Sequence, residues 1–308
     1  MTTKPHIADV AEEAATGRPL GIFAINLDRS PDRWAQIERH FGHLAWPLQR
    51  IAAVDARKDP SAVLSVRGLS LQFPPDGVAW NSHRNRIFML TEEACLAGHV
   101  LTWQQFLKTD LAYALVLEDD AEPQAGFVET LSDLLQSGPG ADIVKLEGVF
   151  RSGGRKAIPL RDVGKHRLIR SLRPASGSAA YLVTRRGAER LLASVDHICV
   201  PADDFLWNPA FHGCDVAHVS PWVIMQSGMA SVIATDKAAK RSGVKAPFGR
   251  AALMPLRRGF ERLKLLWAAT DGRPWKLLNT MVAQWAPDDY NLKDRMSIAA
   301  IDRKSSNG

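Results

Sequence analysis

Ala112-Tyr113-Ala114-Leu115-Val116-Leu117-Glu118-Asp119-Asp120 decides how this chain folds. Six apolar or aromatic residues run straight into three consecutive carboxylates. An uninterrupted apolar run of this kind reads as a strand buried on both faces of a sheet. The end of the strand carries a cluster of negative charge to the sheet's rim, and ligands of open α/β sheets bind beyond the carboxyl ends of strands. Adjacent carboxylates repel one another and are costly to hold together without a cation. Hard cations such as Mg²⁺ or Mn²⁺ take oxygen ligands and keep positions open for phosphate. The stretch points to a metal–diphosphate site; the plainer alternative is an exposed acidic turn leading into Glu122-Pro123.

Outward from this strand, the rest of the chain alternates. Gly21-Ile22-Phe23-Ala24-Ile25-Asn26-Leu27 reads as a strand, and Ser30-Pro31 as the N-cap and first position of a helix through Trp34–His40. Residues 50–55 predict a second strand, 56–82 a Pro-rich loop region and 85–108 a helix. Asp142-Ile143-Val144-Lys145-Leu146 and Ala179-Ala180-Tyr181-Leu182-Val183 predict further strands. Thr184 caps a helix through Leu192. Residues 151–176, rich in Arg, Lys and Gly, read as irregular. Alternating strands and helices predict an α/β fold with a mostly parallel sheet flanked by helices.

With 308 residues, 46% hydrophobic and 23% charged, the chain is long enough for a sizeable core. Cys95, Cys199 and Cys214 are odd in number, widely spaced and form no CxxC, so neither a disulfide framework nor a zinc site is expected. The first residues lack an apolar signal core, and no run of 18 apolar residues occurs. These features predict a cytoplasmic location. The net charge of +6 is uneven: residues 237–308 hold 15 Lys and Arg against 6 Asp and Glu, whereas 1–236 are slightly acidic. The expected division is an N-terminal arm over 1–18, a main domain over 19–236 and a basic helical extension over 237–308.

Several segments resemble glycosyltransferase family 25, the lipopolysaccharide-biosynthesis and collagen-galactosyltransferase type. Ile25-Asn26-Leu27-Asp28-Arg29-Ser30-Pro31-Asp32-Arg33 is similar to that family's I-N-L-x-R-x-x-D-R, and Ala53-Val54-Asp55-Ala56 to its A-V-D-G. Glu92-Glu93-Ala94-Cys95-Leu96-Ala97-Gly98-His99 resembles G-E-x-G-C-x-x-S-H, with Thr91 and Gly98 departing from it. Leu115 to Ala121 resembles L-I-L-E-D-D-V, and Pro201-Ala202-Asp203 resembles P-V-D. Segments 142–146 and 177–183 also fit, so the resemblance spans roughly residues 20–232. It implies a GT-A-like fold and inverting transfer of a sugar from a nucleotide-diphosphate donor, usually UDP-linked.

The chemistry of such a transfer assigns roles. A divalent ion, Mn²⁺ or Mg²⁺, neutralises charge on the departing diphosphate. Glu118 and Asp120, first and third of the cluster, fall on one face of an extended segment as its ligands, and Asp119 faces the other way, toward ribose. Inversion needs a base for the acceptor hydroxyl; Asp203 and Asp204 are the candidates, and as an N-cap and first-turn acid they have a structural alternative. Trp207 is placed to stack on a sugar. Asn26, Arg29, Arg33 and Asp55 sit where the nucleotide lies, and Gly177-Ser178 allow close approach of the donor. His99 reads as a core histidine; His212 and His218 are weaker candidates for metal donors, and Lys145 for a phosphate contact.

In the extension, Leu256, Phe260, Leu263 and Trp267 recur at helical spacing with Arg and Lys off that line, and Trp275 to Trp285 continue the pattern. A basic amphipathic segment with Trp at its boundary suits an anionic membrane surface, here through 250–285; a helix packed on its own domain is the alternative. No nucleic-acid motif occurs. The combined expectation is a metal-assisted inverting transferase acting on a glycan or lipid-linked glycan, peripheral on the inner face of the membrane. An inactive sugar-nucleotide- or glycan-binding module is the alternative. A sugar nucleotidyltransferase is the third reading, and the Gly-rich loop it calls for is missing near the N-terminus.

Overall fold

The structure, a computed structural model, describes residues 20–67, 78–81, 86–148, 155–196, 198, 200–227 and 254–283. The expected arm over 1–18, Cys199 and the rest of the basic extension lie outside the described residues.

A nine-stranded sheet forms the centre, in the order β13-β8-β9-β11-β7-β10-β5-β1-β2. Its strands are β1 (Leu20–Asn26), β2 (Leu48–Ala52), β5 (Tyr113–Glu118), β7 (Ile143–Lys145), β8 (Arg155–Val163), β9 (His166–Ser171), β10 (Ala180–Thr184), β11 (Val216–Ser220) and β13 (Met281–Ala283). Two small pairs lie apart from it: β3 (Val78–Asn81) with β4 (Arg86–Met89), and β6 (Ala121–Pro123) with β12 (Ile224–Gln226).

The sheet is mixed rather than mostly parallel. β1 pairs in parallel with β2 and β5, and β7 with β11, but β10 runs antiparallel between β5 and β7, and β9, β8 and β13 follow antiparallel. A strand covered on both faces reads as a continuous apolar run whichever way its neighbours point, so Ala180–Val183 carried no sign of its direction. Residues 151–176, read as irregular, contain the β8–β9 ladder. Its Arg- and Lys-laden strands and Pro159 obscure the pattern, and the register shifts between Pro159 and Arg161, as a bulge allows. The loop region 56–82 contains a helix, α2 (Pro60–Arg67).

Helices cover both faces. Leu115 and Leu117 of β5 pack with α1 (Pro31–Phe41) and α4 (Phe127–Ser137) through Ile37, Phe41, Leu131 and Leu134. Ala114 and Val116 face the other way, onto α3 (Leu90–Leu107) and α5 (Arg185–Val195) through Leu96, Trp103, Phe106 and Leu191. This is the period of two written into the strand. Thr184 caps α5 as expected, accepting from Gly187 N at 3.0 Å. The Ser30 side chain makes no capping bond; its carbonyl accepts from Trp34 N and from Asn26 Nδ2 instead.

Two short helices, α6 (Ala202–Leu206) and α7 (Pro209–His212), lead to β11. Beyond the undescribed 228–253, α8 (Met254–Ala269) buries Leu265 and Ala269, and β13 then closes the sheet against β8. The described part of the basic segment is therefore built into the domain. Among the described residues no helix is long and apolar enough to cross a membrane.

Candidate functional site

Glu118 ends β5 on the face shared with Val116, the face that α3 covers. Cys95 and His99 stand one helical turn apart on α3, and their donor atoms lie with a Glu118 oxygen within 4.8 Å of one another. Such a trio can hold a borderline metal. The hydrogen bonds around His99 give it another role. Trp103 Nε1 donates to the Tyr181 hydroxyl at 2.8 Å, so that hydroxyl directs its own proton to His99 Nδ1, 3.0 Å away. The imidazole proton then sits on Nε2, 3.4 Å from Glu118 Oε1. Ser178 donates to the same carboxylate oxygen. Burial pushes the Glu118 carboxyl up, but His99, Ser178 and the Lys145 charge together hold its pKa below the ordinary glutamate value. The Cys95 thiol is pushed well up by burial and by the charges of Glu118, Asp203 and Asp120, which keeps it protonated.

Asp119 turns away from Glu118. Its Oδ2 accepts from Asn26 Nδ2 at 2.8 Å and its Oδ1 from Arg33 Nη1 at 2.7 Å. Arg50 donates to Asn26 Oδ1 at 2.9 Å and to Asp28 at 2.7 Å, and Arg29 pairs with Asp55 at 2.5 Å. The residues expected around a nucleotide, Asn26, Arg29, Arg33 and Asp55, thus form a polar seam across the ends of β1, β2 and β5. Asp119 is a bolt in that seam, with both oxygens taken up by protein.

Asp120 stays with Glu118. Burial and the charges of Glu118 and Asp119 raise its pKa to about 7, against the pull of Arg33. Its Oδ1 is buried and has no hydrogen-bond partner among the described residues. Glu147, two residues past the end of β7, joins the group. One of its oxygens pairs with Lys145, the other has no partner among the described residues, and the side chain is wholly shielded from solvent. Burial raises the Glu147 pKa; Lys145 opposes this, while Glu118 and Asp203 add to it.

Asp203, on α6, closes the circle. Its Oδ2 accepts from Gly177 N at 3.4 Å. Gly177 has φ of 80°, a left-handed conformation that disfavours other residues. Its carbonyl takes bonds from Lys145 Nζ at 2.9 Å and Trp207 Nε1 at 2.5 Å. The 177–178 loop therefore ties Asp203 to Glu118 and to the Lys145–Glu147 pair. Asp204, next to Asp203, is buried.

Three expectations are corrected here. Trp207 is 1% exposed, spending its N–H on Gly177 O and its ring under the Lys145 ammonium at 4.6 Å, so it offers no face to a sugar. His212 donates from Nε2 to Leu206 O and accepts from Cys214 N, a structural role far from metal ligation. Lys145 is committed to Glu147 and Gly177 O rather than held out for a phosphate. His218 is buried beside Trp207, its ring 5.9 Å away. Sequence reasoning missed Glu147, although Ile143-Val144-Lys145-Leu146-Glu147 repeats the motif of an apolar strand ending in a carboxylate. It also missed Arg50 and Tyr181, whose roles depend on partners far off in the chain.

Comparison with known proteins shows the family. Residues 20–206 match the family described as glycosyltransferase family 25 (LPS biosynthesis protein). The chain is 30% identical over 190 residues to a mouse protein named inactive glycosyltransferase 25 family member 3, covering 60% of this chain and 31% of that protein. It is 26% identical over 197 residues to a glycosyltransferase 25 family member of Aedes aegypti, covering 60% and 30%. The chain thus spans about a third of the length of these curated relatives. A solved structure described as a crystal structure of a mycobacterial protein aligns with TM-score 0.34 and 13% identity, over 92% of this chain and 88% of that one.

Proposed function

The chain belongs to glycosyltransferase family 25, and from that premise we propose that it is an inverting glycosyltransferase moving a hexose from a UDP-linked donor to a hydroxyl of a cell-envelope glycan such as the lipopolysaccharide core or O-chain. One observation carries the reading above the others. Two buried carboxylate oxygens, on Asp120 and Glu147, lack partners among the described residues, and the Glu118 charge raises the pKa of both groups. Buried acceptors in this state call for a cation.

An all-oxygen donor set suits Mn²⁺ or Mg²⁺. Glu118 and Asp120 would hold the ion, which when bound neutralises the charge that gathers on the departing diphosphate. His99 and Ser178 keep Glu118 ionised and fixed in direction for that task. The Asn26–Arg33–Asp119 seam holds the β1 and β5 ends together beside the nucleotide. Asp203 is the base. It takes the proton of the acceptor hydroxyl as that oxygen attacks the anomeric carbon, and UDP leaves from the opposite face in the same displacement. Of the two adjacent aspartates, Asp203 is the one bonded into the carboxylate circle, through Gly177.

The similarity to a mouse relative named inactive supports a second reading, a module that binds a sugar nucleotide without transferring it. A panel of UDP-sugars incubated with the protein and Mn²⁺ separates the two. Release of UDP that stops on adding EDTA supports the transferase. Binding with no release under any donor overturns it in favour of the module.

A further inference from the structure

α8 wears its amphipathicity inside out. A helix on the surface of a globular domain buries its apolar stripe and shows its polar face. Among the described side chains of α8, the buried side holds Leu265, Ala269 and, just past its end, Thr270. Leu256, Phe260, Leu263 and Trp267 are between 61% and 74% exposed. At about 100° per residue these four fall within roughly 60° of arc, opposite the buried side. The stripe does not end with the helix. Trp275 is 65% exposed and Leu278 90% exposed in the short 3₁₀ segment Pro274–Asn279 that follows.

The face is held firmly. Arg170 pairs with Asp271 at 2.6 Å, Lys276 pairs with the same carboxylate at 2.5 Å, and β13 pairs with β8 immediately afterwards. Gly272, at φ of 67°, passes beneath Trp267; a Cβ there would meet the indole at 2.9 Å. These large side chains are thus presented to the outside by a fixed mount. An open groove of about 510 Å³ between α7 and α8, walled by Pro209, Ala210, Leu263 and Trp267, lies along one edge of the stripe.

Charge identifies what the face fits. Exposed Lys264 lies beside the stripe on one side, exposed Arg262 lies further round the helix on the other, and Arg273 is exposed between α8 and Trp275. The Lys264 ammonium lies 4.8 Å from the centroid of the Phe260 ring, over the apolar surface rather than away from it. An apolar strip with indoles at its boundary and a cationic rim matches the interface of an anionic bilayer, where rings seat at headgroup depth and cations meet phosphate.

We propose that α8 and the segment 274–278 dock this protein on the surface of an anionic lipid bilayer, with Phe260, Leu263, Trp267 and Leu278 entering the headgroup layer. The groove beside Trp267 gives acyl chains a place to seat. This inference is independent of the transfer reaction, since none of its residues belongs to the carboxylate site.

The test uses the full chain and vesicles of phosphatidylcholine with and without phosphatidylglycerol. The wild-type protein sediments with the anionic vesicles, and binding weakens as salt rises because exposed charges are screened over about 10 Å at 0.1 M. Fluorescence of the exposed indoles is quenched by lipids brominated along the acyl chain, a readout that needs no variant. The pair Phe260→Ser/Trp267→Ser lowers vesicle affinity about 10-fold or more, with thermal unfolding unchanged because both side chains are exposed. Arg262→Glu/Lys264→Glu removes the preference for anionic lipid. The proposal is overturned if the wild type neither sediments nor is quenched, or if the Ser pair binds as well as the wild type. It is also overturned if the protein forms dimers that the Ser pair dissolves while ignoring vesicles, which assigns the face to a second copy.

Discussion

Lys145 and Glu147, two residues apart where β7 ends, form an ion pair shut off from solvent, with side chains 2% and 0% exposed. The same ammonium donates to Gly177 O and lies over the Trp207 ring. One buried cation therefore holds together a carboxylate, a left-handed loop and an indole around the proposed metal site.

Removing that cation should be severe. Lys145→Met leaves Glu147 buried and unpaired, and such a break costs about 3–5 kcal/mol. The double change Lys145→Met/Glu147→Leu removes both charges and should regain much of the loss. Urea unfolding of the wild type, both single variants and the double variant measures the coupling. Equal losses in Lys145→Met and the double variant would show that the pair does not act as a unit.

The two adjacent aspartates should part company. Asp203→Asn is expected to lower transfer by ~10²-fold or more while UDP affinity changes little. Asp204 is buried, so Asp204→Asn should show itself first in unfolding temperature. Turnover and UDP titration of both variants decide the assignment. Normal turnover in Asp203→Asn moves the base elsewhere.

Glu118 and Asp120 are expected to fail together. Asp120→Asn or Glu118→Gln should abolish Mn²⁺-dependent release of UDP with the fold retained. EDTA should silence the wild type, and added Mn²⁺ should restore it. Activity that persists in EDTA rules out the ion.

Tyr181 joins Trp103 to His99 inside the core. Tyr181→Phe strands two buried partners, at a cost of about 1–3 kcal/mol. It also frees His99 from the tautomer that points a proton at Glu118, so Mn²⁺ affinity should fall as well. Calorimetric titration with Mn²⁺ checks the second effect; a stability loss with unaltered Mn²⁺ affinity would confine Tyr181 to packing.

His212 gives a pH signature. Burial lowers its pKa from 6.5 to about 4, against hydrogen bonds to the Leu206 and Phe205 carbonyls. Between those values the unfolded chain takes up a proton that the folded protein refuses. The stability contributed by the neutral ring is therefore full above pH 6.5 and is lost as pH falls toward 4, by roughly 3 kcal/mol. His212→Asn keeps an acceptor for Cys214 N and cannot titrate. The difference in unfolding free energy between wild type and variant should shrink across that window; a constant difference defeats the explanation.

Much of this was legible because the signals are local. The run from Ala112 to Asp120 announced a buried strand and an acidic rim; the strand ends at Glu118, and Asp119 and Asp120 lie in the turn that follows. Ser178 and Asp203 were marked by the family pattern. What stayed hidden depends on partners distant in sequence. Asp119 was expected to face a ribose, but its engagement depends on Asn26 and Arg33, more than eighty residues upstream. Trp207 looked like a sugar platform because an indole beside two aspartates is equally at home in a core. The direction of β10 left no trace, since burial on both faces erases the pattern that tells parallel from antiparallel. The stripe on α8 was plain from its spacing, but whether it faced inward or outward required a neighbour to measure against.

The pairing of β13 with β8 has a consequence for handling the protein. β13 is three residues long, yet it occupies hydrogen-bonding groups along β8 at the margin of the sheet. A chain cut before residue 281 would leave that margin bare, and an uncovered strand edge recruits strands from other molecules. Such a truncation should polymerise at concentrations where the whole chain stays dispersed. Insolubility on shortening the chain would then report a missing edge guard, and a Pro or Lys substitution on the exposed flank of β8 should suppress it.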